Sequence, residues 1–167
     1  IGSGLEESGG EVLMYASVDL RHWQALGTLC AAADLPPTDI AMGNMWECPS
    51  FFQSAGRAGL ILSSCGADGY GPTFIGGHYA DPRLIPERVD KLDWGGRVFY
   101  APQVFSDERS RLLMFGWLAE ERPVAEQVAA GWSGVMSLPR VLRIDPQGAL
   151  LQSFAPELDA LRGTVTR

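Results

Sequence analysis

Apolar residues in this chain come in short runs, broken by glycine, proline and small polar residues, and within several runs they alternate with polar positions. That is the patterning of short strands joined by tight turns. Ile1-Gly2-Ser3-Gly4 and Glu6-Glu7-Ser8-Gly9-Gly10 predict a strand end and a hairpin loop. Residues 11–18 follow as a strand with Val12, Leu13, Met14 and Tyr15 as its apolar body. Asp19-Leu20-Arg21-His22-Trp23 turns the chain into a short strand over 24–29, and residues 31–39, with Pro36-Pro37, read as a loop. Strands are predicted over 45–53 and 59–65 around a turn at 54–57. A third, over 73–79, follows the hairpin signal Ala67-Asp68-Gly69. Asp81-Pro82 and Ile85-Pro86 then mark a crossover.

The second half repeats the pattern. Residues 98–105 and 111–118 predict a hairpin around Ser106-Asp107-Glu108-Arg109, residues 119–130 are polar and carry no predicted element, and residues 131–140 alternate as a half-buried strand does. Asp145-Pro146-Gln147-Gly148 fits a type I turn pairing 141–143 with 150–152. Residues 156–162 read as one or two helical turns opened by Pro156. The expected class is all-β.

One strand resembles another. Sliding Met45-Trp46-Glu47-Cys48-Pro49-Ser50-Phe51-Phe52 along the chain brings Pro49 onto Pro102, Phe52 onto Phe105 and Leu60-Ile61-Leu62 onto Leu113-Met114-Phe115 without a gap. Glu47 falls on Tyr100. Two copies of one supersecondary unit point to a solenoid or a propeller. In propeller blades, Glu47 and Tyr100 occupy equivalent places and face the central depression.

Composition narrows the partners. The 167 residues carry a net charge of −7 with no Lys/Arg cluster, which gives no footprint for nucleic acid or an anionic membrane and favours a neutral partner. Cys30, Cys48 and Cys65 are odd in number, lack CxxC spacing and are accompanied only by His22 and His78, so neither a zinc site nor a disulfide framework is expected. No apolar run is long enough to span a bilayer, and the amino end has no secretory pattern. The chain begins at Ile1, as a processed product or a fragment does, and its compartment is not readable.

The candidate chemistry centres on Glu47. Set between Trp46 and Cys48 and beside Pro49, its carboxyl is expected to be largely buried with a raised pKa, which suits a general acid. A surface glutamate at a strand start is the competing reading. Asp93 is a second carboxylate of interest, with the capping of a turn as its alternative role.

Several ordered motifs then coincide: Trp46-Glu47-Cys48-Pro49, Phe99-Tyr100-Ala101-Pro102-Gln103, Phe115-Gly116-Trp117-Leu118, the stretch from Gly131-Trp132 through Leu138-Pro139-Arg140, and residues 152–162. Together they resemble glycoside hydrolase family 32, the invertase, inulinase and levanase family of β-fructofuranosidases. The resemblance implies a five-bladed β-propeller followed by a β-sandwich, of which residues 1–155 supply about three blades and 156–167 a linker. It also implies that Glu47 is the acid/base and that Cys48, Trp46, Asp93, Tyr100 and Trp117 surround the sugar. Sucrose or a fructan is the implied carbohydrate substrate, cleaved with retention and without a metal or organic cofactor. The family's Asn-Asp-Pro nucleophile motif and its Arg-Asp-Pro motif are absent. Asp81-Pro82 and Asp145-Pro146 are the only Asp-Pro pairs, and both follow Glu47. The expectation is therefore a catalytic portion inactive by itself; a fructoside-binding module and an inert fragment are the alternatives.

Overall fold

The computed structural model describes residues 1–5, 7–66, 70–94 and 98–163. Three antiparallel sheets follow one another along the chain. Sheet one holds β1 (Gly2–Leu5), β2 (Gly9–Ala16) and β3 (Gln24–Ala31) in sequence order. In sheet two, β4 (Met45–Ser54), β5 (Arg57–Cys65), β6 (Gly71–Ala80) and β7 (Arg83–Lys91) do the same. Sheet three sets β8 (Phe99–Ser106) against β9 (Leu112–Leu118), whose other edge meets β10 (Val135–Met136) and β11 (Arg140–Ile144), with β12 (Leu150–Phe154) outermost. Ser137 bridges β10 and β11, its N–H donating to the Gly116 carbonyl while its Oγ accepts from the Gly116 N–H. Sheet three is thus effectively four strands wide.

The sheets stack on two apolar layers, and β5 sits between them. Ala58, Leu60 and Leu62 point toward Val12, Leu29, Cys30 and Trp46, whereas Ile61 points toward Phe99, Met114, Leu142 and Ile144. Burial on both faces explains why β5 reads as a continuous apolar run. Strands β1, β4 and β8 adjoin along one side of the stack, so the first strand of each sheet lines a common wall.

Three sequence expectations need correction. The predicted crossover at Asp81-Pro82 is the turn of a β6–β7 hairpin, with β7 extending across Ile85-Pro86. Pro86 is tolerated because β7 is the sheet edge, where a missing ladder donor costs little, and a register shift lies opposite it. Residues 119–130 contain α1 (Val124–Ala130), closed by left-handed Gly131 (φ 75°); it buries no residue and so leaves no apolar stripe to read. Within residues 131–140 the strand is cut to the exposed pair Val135–Met136 and to Arg140, where β11 begins, because left-handed Gly134 precedes the pair and Pro139 follows it.

The internal match holds in β4 and β8 but shifts afterwards. Gln53 pairs with Ala58, and Ser106 with Leu112, so the second hairpin loop is one residue longer. Leu60 therefore corresponds to Met114, not Leu113. The type I turn at residues 145–148 and the terminal helical turn, a 3₁₀ segment over Pro156–Leu161, are present as expected. The hairpin signal at Ala67-Asp68-Gly69 lies outside the described residues.

Candidate active site

The site grows from two matching irregularities. The β4–β5 register shifts between Glu47 and Ser50, and the β8–β9 register between Tyr100 and Gln103. Within these bulges Cys48 and Ala101 share a left-handed backbone, each with φ 49°. Pro49 and Pro102 come next; lacking an N–H, they leave no orphan donor where the ladder is broken. A bulge re-aims the side chain before it, and here the two re-aimed side chains meet: the Tyr100 hydroxyl donates to Glu47 Oε2 at 2.5 Å. That length is at the short end of the range for an O–H···O hydrogen bond.

Polar side chains tie the second bulge to sheet two. Ser63 Oγ accepts from the Ala101 N–H at 2.9 Å, Ser50 Oγ from the Val104 N–H at 3.2 Å, and Gln103 Nε2 donates to the Cys48 carbonyl at 3.3 Å. Both serines are buried, Ser63 completely. Burial first, and then the bond to Glu47, push the Tyr100 phenol far above its ordinary value, so it stays protonated and acts as donor. Tyr70 stacks on the Tyr100 ring, centroids 4.8 Å apart and planes 13° from parallel.

Glu47 itself is half-buried rather than largely buried. The bulge turns it out of the apolar layer, and its neighbour Cys48 is exposed. Trp117 lies opposite Tyr100 in the β8–β9 register and is 43% exposed, so an aromatic face is open beside the Tyr100–Glu47 pair. Gly134 backs the Trp117 indole so closely that a Cβ there would fall 2.3 Å from Nε1. Its place is kept by Glu120, which accepts from the Gly134 N–H and from Arg122.

Two sequence candidates have structural partners of their own. Trp46 is fully buried between sheets one and two, its indole N–H donating to the Met42 carbonyl at 3.0 Å, which makes it a core residue with no surface for a sugar. Asp93 pairs with Arg140 at 2.7 Å at the seam of sheets two and three. The same guanidinium covers the Phe99 ring at 4.4 Å and donates to Gln152, whose amide holds the Leu92 carbonyl. An open cleft of about 360 Å³ runs along this seam past Lys91, Trp94 and Phe154. Asp93 therefore braces the seam beside the outer strands.

Asp81 and Asp145 are excluded as partners of Glu47 by register. Glu47 lies at the Met45–Cys65 end of sheet two, whereas Asp81 follows Ala80 at the end shared with the Ser54–Arg57 turn. Asp145 turns β11 into β12 beyond the Ser106–Leu112 end of sheet three, away from Tyr100 and Trp117. Cys30 is no nucleophile, since burial pushes its thiol up to about 12. Among the described residues no cluster of three or more His, Cys, Asp or Glu is placed to hold a metal ion, and no helix is long and apolar enough to cross a membrane.

Sequence reasoning missed Tyr70, Ser50, Ser63 and Gln103. Buried serines inside apolar strands were the available signal for two of them, and Gln103 closes a motif quoted above; nothing local marks Tyr70.

The model of the glycosyl hydrolases family 32 N-terminal domain matches residues 1–153. The chain belongs to glycosyl hydrolase family 32. It is 34% identical to a sucrose-6-phosphate hydrolase of Bacillus subtilis (strain 168), over 97% of this chain and 36% of the relative. It is 32% identical to beta-fructofuranosidase, insoluble isoenzyme 1, of Daucus carota, over 93% and 29%. This family-32 chain thus spans about a third of the length of the curated relatives it matches. Among solved structures, a Bombyx mori GH32 beta-fructofuranosidase superimposes with a TM-score of 0.78 at 26% identity, over 98% of this chain and 36% of that one. Fructan 1-exohydrolase IIa from Cichorium intybus shares the fold at TM-score 0.77 and 23% identity, over 97% and 33%. The three sheets are accordingly adjoining blades of a propeller.

Proposed function

We propose that this chain is part of a β-fructosidase that hydrolyses terminal β-D-fructofuranosyl bonds of sucrose or a fructan with retention, and that Glu47 is its acid/base. The observation that supports this best is the short hydrogen bond from Tyr100 to Glu47 on two equivalent bulges, beside the open face of Trp117. In this reading Glu47 gives its proton to the leaving glycosidic oxygen, then takes one from the water that resolves the intermediate. Tyr100 steadies the carboxylate whenever it is charged, and Trp117 offers an apolar face to a sugar ring.

A retaining glycosidase needs a second carboxylate about 5–5.5 Å from the first to attack the anomeric carbon. Neither Asp81 nor Asp145 can serve. In this reading the nucleophile comes from chain outside residues 1–167, with residues 1–155 as propeller blades and 156–167 as a linker. Salt bridges from Arg109 and Arg111 to Glu157 fix the start of that linker against the β8–β9 loop.

The test is release of fructose from sucrose, sucrose 6-phosphate and 1-kestose, by residues 1–167 alone and by the full coding product that contains them. The expected result is no turnover by the first and turnover by the second, abolished by Glu47→Gln. Robust turnover by residues 1–167 alone would refute the assignment of the nucleophile to the remaining chain. Binding of fructosides without cleavage by the full product would favour a non-catalytic binding module.

A further inference from the structure

A hydrogen bond between a tyrosine and a carboxylate on neighbouring blades is only as stable as the ring that carries the hydroxyl. Tyr100 sits on an edge-strand bulge, where its backbone lacks regular ladder support. The serines described above hold that backbone; what holds the ring is Tyr70. It lies just before β6, and its ring is nearly parallel to Tyr100 at 4.8 Å, the offset stacking range in which aromatic pairs gain beyond their buried area. Tyr70 is itself anchored. The next residue, Gly71, has its carbonyl bonded by the buried Ser64 hydroxyl at 3.1 Å and pairs with Ser64 across β5–β6. One rung of sheet two, Ser64 paired with Gly71, thus ties Tyr70 and with it the Tyr100 ring to the core.

The two tyrosines divide the exposure between them. Tyr100 keeps 8% of its surface and Tyr70 39%, so Tyr70 is the outer layer that keeps water from the Tyr100 ring. Resting on the reading of Glu47 as acid/base, we propose that Tyr70 is a positioning residue, whose ring clamps Tyr100 in the pose that delivers its hydroxyl to Glu47. Tyr70 makes this contribution through its flat face, and its own hydroxyl is dispensable to it. Burial, the first cause of the high titration of the Tyr100 phenol, agrees with this geometry.

The experiment has two arms. In residues 1–167, isotope-labelled tyrosine lets NMR follow the Tyr100 ring resonances, assigned with Tyr100→Phe. Tyr70→Ala should shift these resonances, as loss of the stacked ring demands, and speed the flipping of the Tyr100 ring, while Tyr70→Phe leaves both where the parent has them. An unchanged Tyr100 signal in Tyr70→Ala overturns the proposal. Should that variant not fold, Tyr70→Leu keeps bulk but loses the flat stack and reads the same way. In the full enzyme, Tyr70→Ala should lower kcat several-fold with KM little changed, and add nothing to Tyr100→Phe. A raised KM at unchanged kcat, additive with Tyr100→Phe, also overturns it, because Tyr70 then touches the sugar directly. If Glu47→Gln retains turnover, the acid/base reading fails while the NMR arm still decides the clamp.

Discussion

The bulge of β4 and the bulge of β8 share a backbone and differ in chemistry. Both break the ladder at the same place, both carry a left-handed residue before proline, and both follow a fully buried aromatic, Trp46 in one and Phe99 in the other. One presents a carboxylate and the other a phenol. The comparison teaches that the repeated blade supplies a repeated aiming device, and that a single position within it decides what is aimed. Because adjoining blades turn these positions toward one another, substitution in one copy is felt in the other.

The comparison breaks most sharply at Glu47. In the full enzyme Glu47→Gln should reduce kcat by about 10²–10⁴-fold, the usual worth of general acid–base catalysis, with the fold intact. Steady-state turnover on sucrose and circular dichroism check the two halves of that statement.

The shared scaffold predicts equal costs beneath the bulges. Trp46→Ala and Phe99→Ala should each destabilise by about 3–5 kcal/mol, since both side chains lie wholly inside a sheet–sheet layer. Urea unfolding of the two variants tests this; a cost at one site several times that at the other would show that the blades are not equivalent supports.

A smaller effect is expected at Tyr100. Removing its hydroxyl with Tyr100→Phe deletes one charge-assisted hydrogen bond and no packing, so kcat should fall by about tenfold, the equivalent of roughly 1.4 kcal/mol. Cys48→Ala should do less still. It converts the first bulge to the residue the second already has, and stability should stay within about 0.5 kcal/mol of the parent by thermal melts.

The smallest effect is a pH dependence local to the 119–134 segment. Hydrogen bonds from the Arg122 side chain and backbone, and then from Gly134, hold Glu120 at about 2, below its ordinary 4.5. A carboxyl lowered by folding stabilises the fold above its unfolded value, and that contribution is lost as pH falls through the folded one. Loosening of this segment is therefore expected between about pH 4.5 and pH 2, seen as amide exchange at Gly134 and changed Trp117 fluorescence. Glu120→Gln should abolish the pH dependence in that window.

Much of this was legible in the chain. Alternation and turn residues gave nearly every strand, because half-buried strands must alternate and tight turns need glycine, proline or short polar side chains. The repeat of Pro49 on Pro102 marked the two strands as equivalent; the break in each ladder that draws the same residue was visible only in the backbone. Other features had no local signature. Helix α1 buries nothing, so it imposes no apolar period, and β7 looked like a crossover because Pro86 is acceptable only on an edge, which a sequence does not reveal.

By itself, then, the sequence determined most of the strands, their repetition and two carboxylates worth watching, Glu47 and Asp93, because backbone geometry and burial act on neighbours along the chain. Only the tertiary structure decided which groups meet. It joined Tyr100 to Glu47 across 53 residues, took Trp46 into the core, drew Asp93 to Arg140 and laid Tyr70 on Tyr100. Those choices depend on how far one blade is turned against the next, and that angle is set by the packing of whole apolar layers, which no single motif encodes.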